Sequence, residues 1–232
     1  GRRTPVYYVG RLGKWDNTPE AKELFTDKNH QLFCLCVREN DIIANISRLV
    51  GMDATNMDDV NKAAVELRIQ IFKLYQFLKK YVPGFEYSNL IGETVVGFRE
   101  SRRFTGKYTI TKEDCLSGRK FEDNIGLACY PLDMHDPEGG NVTFQQIGGD
   151  GSYGIPYRAL IPQNVKNLLV AGRIVSATHE ALASVRSIAA CEVMGQAAGT
   201  AAALCTELES IPEELDIHIL QDRLVSQKAI IM

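Results

Sequence analysis

Asn167-Leu168-Leu169-Val170-Ala171-Gly172-Arg173, with the small-residue run that follows from Ser184 to Leu208, is the stretch on which the fold turns. Residues 167–171 read as a short apolar strand of the kind buried on both faces. Gly172-Arg173 reads as a tight turn, residues 174–183 as a loop, and residues 184–208 as one long helix. A strand that enters a glycine turn and then a helix aims the helix N-terminus at a ligand. The first N–H groups there lack internal partners, and the macrodipole adds partial positive charge. Arg173, His179, Glu180 and Arg186 sit between apolar runs as candidate chemical groups. Ala181, Ala183, Ser184, Ser187, Ala189 and Ala190 are small, as a flat ring or a close backbone requires. Gly195 and Gly199, four apart, put a bare stripe on one helix face for packing on a sheet. A core helix whose Arg and His are satisfied locally fits the same spacing equally well.

Downstream, Pro212 breaks the run, and residues 217–226 read as a closing amphipathic helix. Upstream, Gly149-Asp150-Gly151-Ser152-Tyr153-Gly154 satisfies G-x-G-x-x-G. That fingerprint works only with a strand before it and a helix directly after it, and Pro156 and Pro162 forbid the helix. The match is accidental.

The N-terminal half has a different grammar. Residues 31–37 and 42–49 are apolar, β-rich runs separated by Arg38-Glu39-Asn40-Asp41, which predicts a hairpin. Residues 58–81 predict a long helix, capped by Asn56 or Asp58, with Asp58 and Asp59 at its positive end. Val60, Ala64, Leu67, Ile71, Leu74, Leu78 and Tyr81 form one stripe along about 35 Å of that helix. Ile69, Phe72 and Phe77 widen the stripe and imply more than one packing neighbour. Pro83-Gly84 ends the helix. Residues 90–98 and 107–110 read as strands, Thr111 with Asp114 as a capping arrangement, and residues 137–140 as a turn. The first thirty residues show no clean period, as expected where a chain is entered mid-protein.

Composition narrows the classes. The 232 residues are 45% hydrophobic and 24% charged, the averages of globular proteins. A net charge of -3 gives no field for a polyanion, so nucleic acid is not an expected partner. The six cysteines show no C-x-x-C pair, and Cys34 and Cys36 on one strand face read as core side chains rather than metal ligands. No metal site is expected. Free thiols favour a reducing, cytoplasmic compartment. No apolar leader follows Gly1-Arg2-Arg3. Residues 188–205 are apolar, but Glu192 and Gln196 interrupt them, so a packed helix is expected rather than a membrane span.

Three runs then resemble a known family: Ile155-Pro156-Tyr157-Arg158-Ala159-Leu160-Ile161-Pro162, the Asn167–Arg173 stretch, and Ser176-Ala177-Thr178-His179-Glu180-Ala181 with Ser184-Val185-Arg186. They resemble the C-terminal signature of the FAD-dependent oxidoreductases, which share the flavin-binding fold of the fumarate reductase and succinate dehydrogenase flavoproteins. Pro83-Gly84-Phe85-Glu86, the run from Gly97 to Arg103, and Asp133-Met134-His135-Asp136 look like the same family. The likeness spans roughly residues 33–204.

The resemblance implies an α+β chain, the C-terminal part of a bipartite FAD-binding α/β flavoprotein. Residues 1–140 would be a substrate or cap region built on the hairpin and long helix. Residues 141–208 would belong to the FAD-binding domain, and residues 209–232 would close the chain with a helix. It implies that Ala171, Gly172, Arg173, Glu180, Ser184, Val185 and Arg186 lie against FAD, with the 184–186 turn offering helix N–H groups to the flavin's pyrimidine edge. His179, Arg186 and His135 are the catalytic candidates, and Arg99 and Arg102 the candidates for an anionic substrate, unless the two merely pair with Glu100. The family's opening strand, G-x-G-x-x-G turn and helix have no counterpart here. The expectation is therefore a fragment that binds FAD weakly or not at all and is inactive alone. It would await its missing N-terminal half and tend to self-associate through exposed apolar surface. The alternatives are a stand-alone ligand- or protein-binding module without redox activity, and a metal-dependent hydrolase using His135 and His179, which lacks ligand spacing.

Overall fold

The computed structural model describes residues 7–15, 17–25, 31–38, 41–135 and 142–232. It is mixed α+β, and its sheets are small. The chain divides into two compact units, Gly1–Phe98 with His135–Val142, and Arg99–Met134 with Thr143–Met232.

In the first unit, β1 (Tyr7–Arg11), β2 (Gln31–Arg38) and β3 (Asp41–Asn45) form an antiparallel sheet in that order, with α1 (Pro19–Leu24) between β1 and β2. The expected hairpin is β2–β3, in register from Phe33↔Asn45 to Cys36↔Ile42, with a shift between Cys36 and Arg38. Helix α1 carries a start signal in the stretch that showed no period. Pro19 stands at the helix start, and Thr18 Oγ1 accepts from the Ala21 N–H at 3.2 Å. Helix α2 (Met57–Tyr81) is capped by Asn56, whose Oδ1 accepts from the Asp58 N–H at 3.0 Å.

The core of this unit gathers round the C-terminal half of α2. Phe77 is buried among Trp15, Phe25 and Tyr81, with ring centroids at 6.5, 5.4 and 5.0 Å. Cys34 belongs to the same core. The predicted widening of the stripe fails at Ile69 and Phe72. Both are exposed, and among the described residues no second neighbour covers them. The expected strand at residues 90–98 is also absent. The backbone there is irregular, with Ile91 and Val95 almost fully exposed. A strand needs a ladder, and no described strand runs alongside to supply one.

The second unit is built on β4 (Asn124–Ala128) and β7 (Tyr153–Pro156), an antiparallel pair that follows α3 (Lys112–Ser117). A separate two-stranded sheet joins β5 (Leu132–His135) to β6 (Val142–Gln145). Three helices close the unit: α4 (His179–Val185), α5 (Ile188–Glu207) and α6 (Ile217–Ser226). The start of α3 is a full capping box. Thr111 Oγ1 accepts from the Asp114 N–H at 3.2 Å, and Asp114 Oδ2 accepts from the Thr111 N–H at 2.9 Å. The 107–110 strand shrinks to single bridges, Gly106↔Pro162 and Ile110↔Ala177.

The glycine motif at 149–154 leads into strand β7 and a 3-10 turn at Tyr157–Leu160, with no helix behind it. Asn124, fully buried, ties the unit together: its Oδ1 accepts from the Phe121 N–H at 3.0 Å and its Nδ2 donates to the Ile231 carbonyl at 3.2 Å. Helix α5 lies on β4 and α6, burying Ala190, Met194, Ala197, Ala201 and Leu204 at helical spacing. Its opposite face, with Ile188, Glu192, Gly195, Gly199, Ala202 and Thr206, is exposed. By length and composition this helix would suffice to cross a membrane.

Two expectations about the deciding stretch need correction. Residues 167–171 form no strand; Leu168 is exposed, and the segment's backbone tie is Val170 N–H to the Leu160 carbonyl at 2.9 Å. Here too the apolar pattern is present and the flanking strands are not. The single helix at 184–208 is instead two, because Ser187 is extended (φ -59, ψ 149) between α4 and α5.

Candidate functional site

The break between α4 and α5 places the chemistry. Thr178 caps α4, its Oγ1 accepting from the Ala181 N–H at 3.3 Å. That puts His179 and Glu180 on the first helical turn. Glu180 is held below the usual carboxylate range, chiefly by a hydrogen bond from its own backbone N–H at that helix start. His179 is half exposed, with Nδ1 3.8 Å from Glu100 Oε2.

Ser184 and Val185 close α4 and point into the core; both are fully buried. Ser184 Oγ donates to the Tyr130 carbonyl at 2.5 Å, which leaves it to accept from the Tyr153 hydroxyl at 2.8 Å. Burial raises Tyr153 well above the ordinary phenol range. The open amides therefore do not belong to residues 184–186, as the sequence suggested. They belong to the first turn of α5, at Ile188, Ala189 and Ala190, where the helix geometry leaves N–H groups without intrahelical acceptors. Ser187 makes no side-chain capping bond there, and Ile188 is 79% exposed.

Gly172 adopts φ +86, a conformation that favours glycine, and a Cβ built on it would meet nothing within 4 Å. The turn is closed by Val175 N–H to the Gly172 carbonyl at 3.0 Å. Arg173 is exposed beyond it, and its charge is felt at the Cys191 thiol on the first turn of α5.

Arg186 turns the other way. Its side chain is 15% exposed, and Nη2 reaches the Asp133 carboxylate at 3.4 Å. Arg99 reaches the same Oδ2 atom at 2.9 Å, so its partner is Asp133, not Glu100. Burial, then the neighbouring Arg99 charge, pulls Arg186 below the usual guanidinium range. Arg102 is exposed, with no ion pair among the described residues. His135 ends β5, and its side chain lies outside the described residues.

Asp133 was missed by sequence reasoning. The signal was a lone carboxylate between Leu132 and Met134 in a short apolar strand, where an acid survives burial only with partners. Asp133 is 6% exposed.

A family model, FAD dependent oxidoreductase, matches residues 11–224. The chain belongs to the FAD dependent oxidoreductase family. That makes it an oxidoreductase-type flavoprotein chain with FAD as the implied cofactor. No curated protein and no solved structure matches the chain. The residue types fit a flavin: the second unit offers an uncapped helix end, an open positive-φ glycine and an exposed guanidinium whose charge reaches that helix. Together they are suited to an electron-rich edge. Among the described residues no group of three or more His, Cys, Asp or Glu is arranged to hold a metal ion.

Proposed function

We propose that the second unit carries the flavin-ring and substrate side of an FAD-dependent hydride-transfer oxidoreductase, with the fold of the fumarate reductase and succinate dehydrogenase flavoproteins. The observation that carries this reading is the first turn of α5, which has no side-chain cap and whose Cys191 thiol feels the Arg173 charge. Ala171, Gly172, Arg173, Glu180 and the backbone from Ser184 to the α5 start would hold FAD, which supplies the two-electron acceptor. The helix amides and Arg173 favour negative charge at that place. His179, Arg186 and His135 would hold or pass the accompanying proton. Arg99 and Arg102 would face the substrate.

In the proposed domain plan, residues 1–140 form the cap and substrate region, residues 141–208 the C-terminal segment of the FAD-binding domain, and residues 209–232 the closing helix. The ADP half of FAD would be gripped by a strand–turn–helix segment outside these residues. Two surfaces support that. The apolar 167–171 segment pairs with no described strand, and the glycine face of α5 is bare, with nothing within 4 Å of an added Cβ at Gly195 or Gly199. A cleft of about 500 Å³ lies between them, lined by Asn167, Leu169, Ala198, Ala202 and Cys205 among others. Loss of half the cofactor contacts costs tenfold in affinity for each ~1.4 kcal/mol. This chain by itself would therefore hold FAD weakly and turn nothing over. Its bare faces would favour self-association, and a cytoplasmic location fits its free thiols.

Expression with and without the upstream reading frame tests the proposal. Stoichiometric flavin absorbance should appear only with the upstream segment. A 232-residue chain that purifies yellow at one flavin per chain would overturn the incomplete-site reading, and a longer one that stays colourless would overturn the flavin site.

A further inference from the structure

We infer that Asp133 gathers Arg99 and Arg186 into a two-guanidinium receptor for one oxyanion. Both guanidiniums converge on a single oxygen, Asp133 Oδ2, from Arg99 Nη1 at 2.9 Å and Arg186 Nη2 at 3.4 Å. Two cations are thereby held side by side against one buried carboxylate. Like charges in a poorly hydrated place repel; Asp133 is the carboxylate both touch, and Glu100 adds a negative charge that Arg186 feels.

Exposure is graded along the triad. Asp133 is 7% exposed and Arg186 15%, while Arg99 is 44% exposed, so the pair opens to solvent on the Arg99 side. Arg186 also keeps an unspent donor: its Nε is buried and has no hydrogen-bond partner among the described residues. A guanidinium offers its Nε and Nη hydrogens as a planar fork, the shape that binds carboxylate or phosphate oxygens in pairs. The Glu100 carboxylate lies 3.8 Å from His179 Nδ1, and its charge is also felt at Arg186. A second anion would complete both guanidiniums without displacing Asp133. Its role as the charged group of a substrate rests on the flavin reading, whereas its binding does not.

The test is a titration of the purified chain without flavin, followed by thermal unfolding and by the Arg Nε–H resonances of ¹⁵N-labelled protein. Acetate, succinate and orthophosphate form the arms, each against chloride at matched ionic strength. The expected result is saturable stabilisation by an oxyanion, a shift of the Arg186 Nε–H signal, and a dissociation constant raised at least tenfold in Arg99→Gln and Arg186→Gln. Arg223→Gln, which breaks a surface pair with Glu207, should leave that constant unchanged. The arm that saturates first names the source, carboxylate or phosphate. If Arg186→Gln does not fold, Arg186→Lys keeps the charge without the fork and should still weaken binding several-fold.

Asp133→Asn adds a second reading: the variant should lose thermal stability and regain it with the oxyanion. A response in Asp133→Asn with none in the unmutated chain would mean the triad is purely structural, and would overturn the proposal. So would a response equal to that of chloride or unchanged in both Gln variants. A colourless full-length protein that still binds the oxyanion would sink the flavin reading alone.

Discussion

Gly126 on β4 lies directly under Val193 on α5: a Cβ built on the glycine would stand 2.2 Å from Val193 Cγ1. That closeness sets how tightly the helix sits on the strand pair, and with it the direction of the helix's uncapped end. Gly126→Ala should therefore destabilise the second unit by about 1–3 kcal/mol, since a β-branched valine has little rotamer freedom to move aside. Urea unfolding measures this, and Gly126→Ala with Val193→Ala should recover most of the loss. A neutral Gly126→Ala would mean that the helix rides farther from the strand.

The chain from Tyr153 through Ser184 to the Tyr130 carbonyl makes a second expectation. Ser184→Ala removes the acceptor of a fully buried phenol and the donor to a buried-side carbonyl. It should cost about 1–3 kcal/mol, more than the loss of one exposed hydrogen bond. Tyr153→Phe removes only the phenol end and should cost about 1 kcal/mol. The double variant should lose less than the two singles added together, because they share one bond. Strict additivity in a double-mutant cycle would argue against the chain.

Much of this architecture could be read before any coordinates. The hairpin and α2 carried strong periods and a cap at Asn56, and local signals decide such elements. The failures have one cause. Residues 90–98 and 167–171 have strand composition, but a strand also needs a partner backbone, and pattern says nothing of whether one is present. The break at Ser187 was hidden because Ala, Ser and Ile on either side suit a helix equally well. At the candidate site, Gly172 was legible as a turn, and His179 and Glu180 as charged groups set among apolar runs, although the strand–turn–helix grammar itself failed. Asp133 was not, because its importance lies in convergence with Arg99 and Arg186, which stand 34 and 53 positions away.

Alkaline pH should loosen the second unit. Burial pushes the Cys115 thiol up from 9.0 to about 12 and lifts Tyr108 from 10.0 to about 12. Both groups are held in their neutral forms by the fold, so their contribution is complete below the unfolded values. It is lost as pH rises from about 9 toward about 12. The buried Cys115 adds a slope of up to about 1.4 kcal/mol per pH unit in that window, and the more exposed Tyr108 a smaller one. Chemical unfolding at stepped pH should show stability falling above pH ~9, with a shallower slope in Cys115→Ala. Cys129, which is exposed, should react with a thiol reagent in the native state while Cys115 stays protected. Equal reactivity of the two would contradict the burial.

A single charge at the start of α5 separates folding from cofactor chemistry. Ala189 is exposed in the first turn, beside an end with no side-chain cap. Ala189→Asp places a carboxylate at the positive end of the helix dipole, which should stabilise the flavin-free chain by about 0.3–1 kcal/mol. In a flavin-loaded preparation on the proposed reading, the same carboxylate faces the edge that becomes negative on reduction. It should then lower the flavin reduction potential, because the charge that favours the bare helix repels the reduced ring. Thermal unfolding of the apoprotein and a redox titration of the loaded protein measure the two effects separately. A variant that stabilises the fold yet leaves the potential unmoved would place the flavin away from this helix, whatever else binds there.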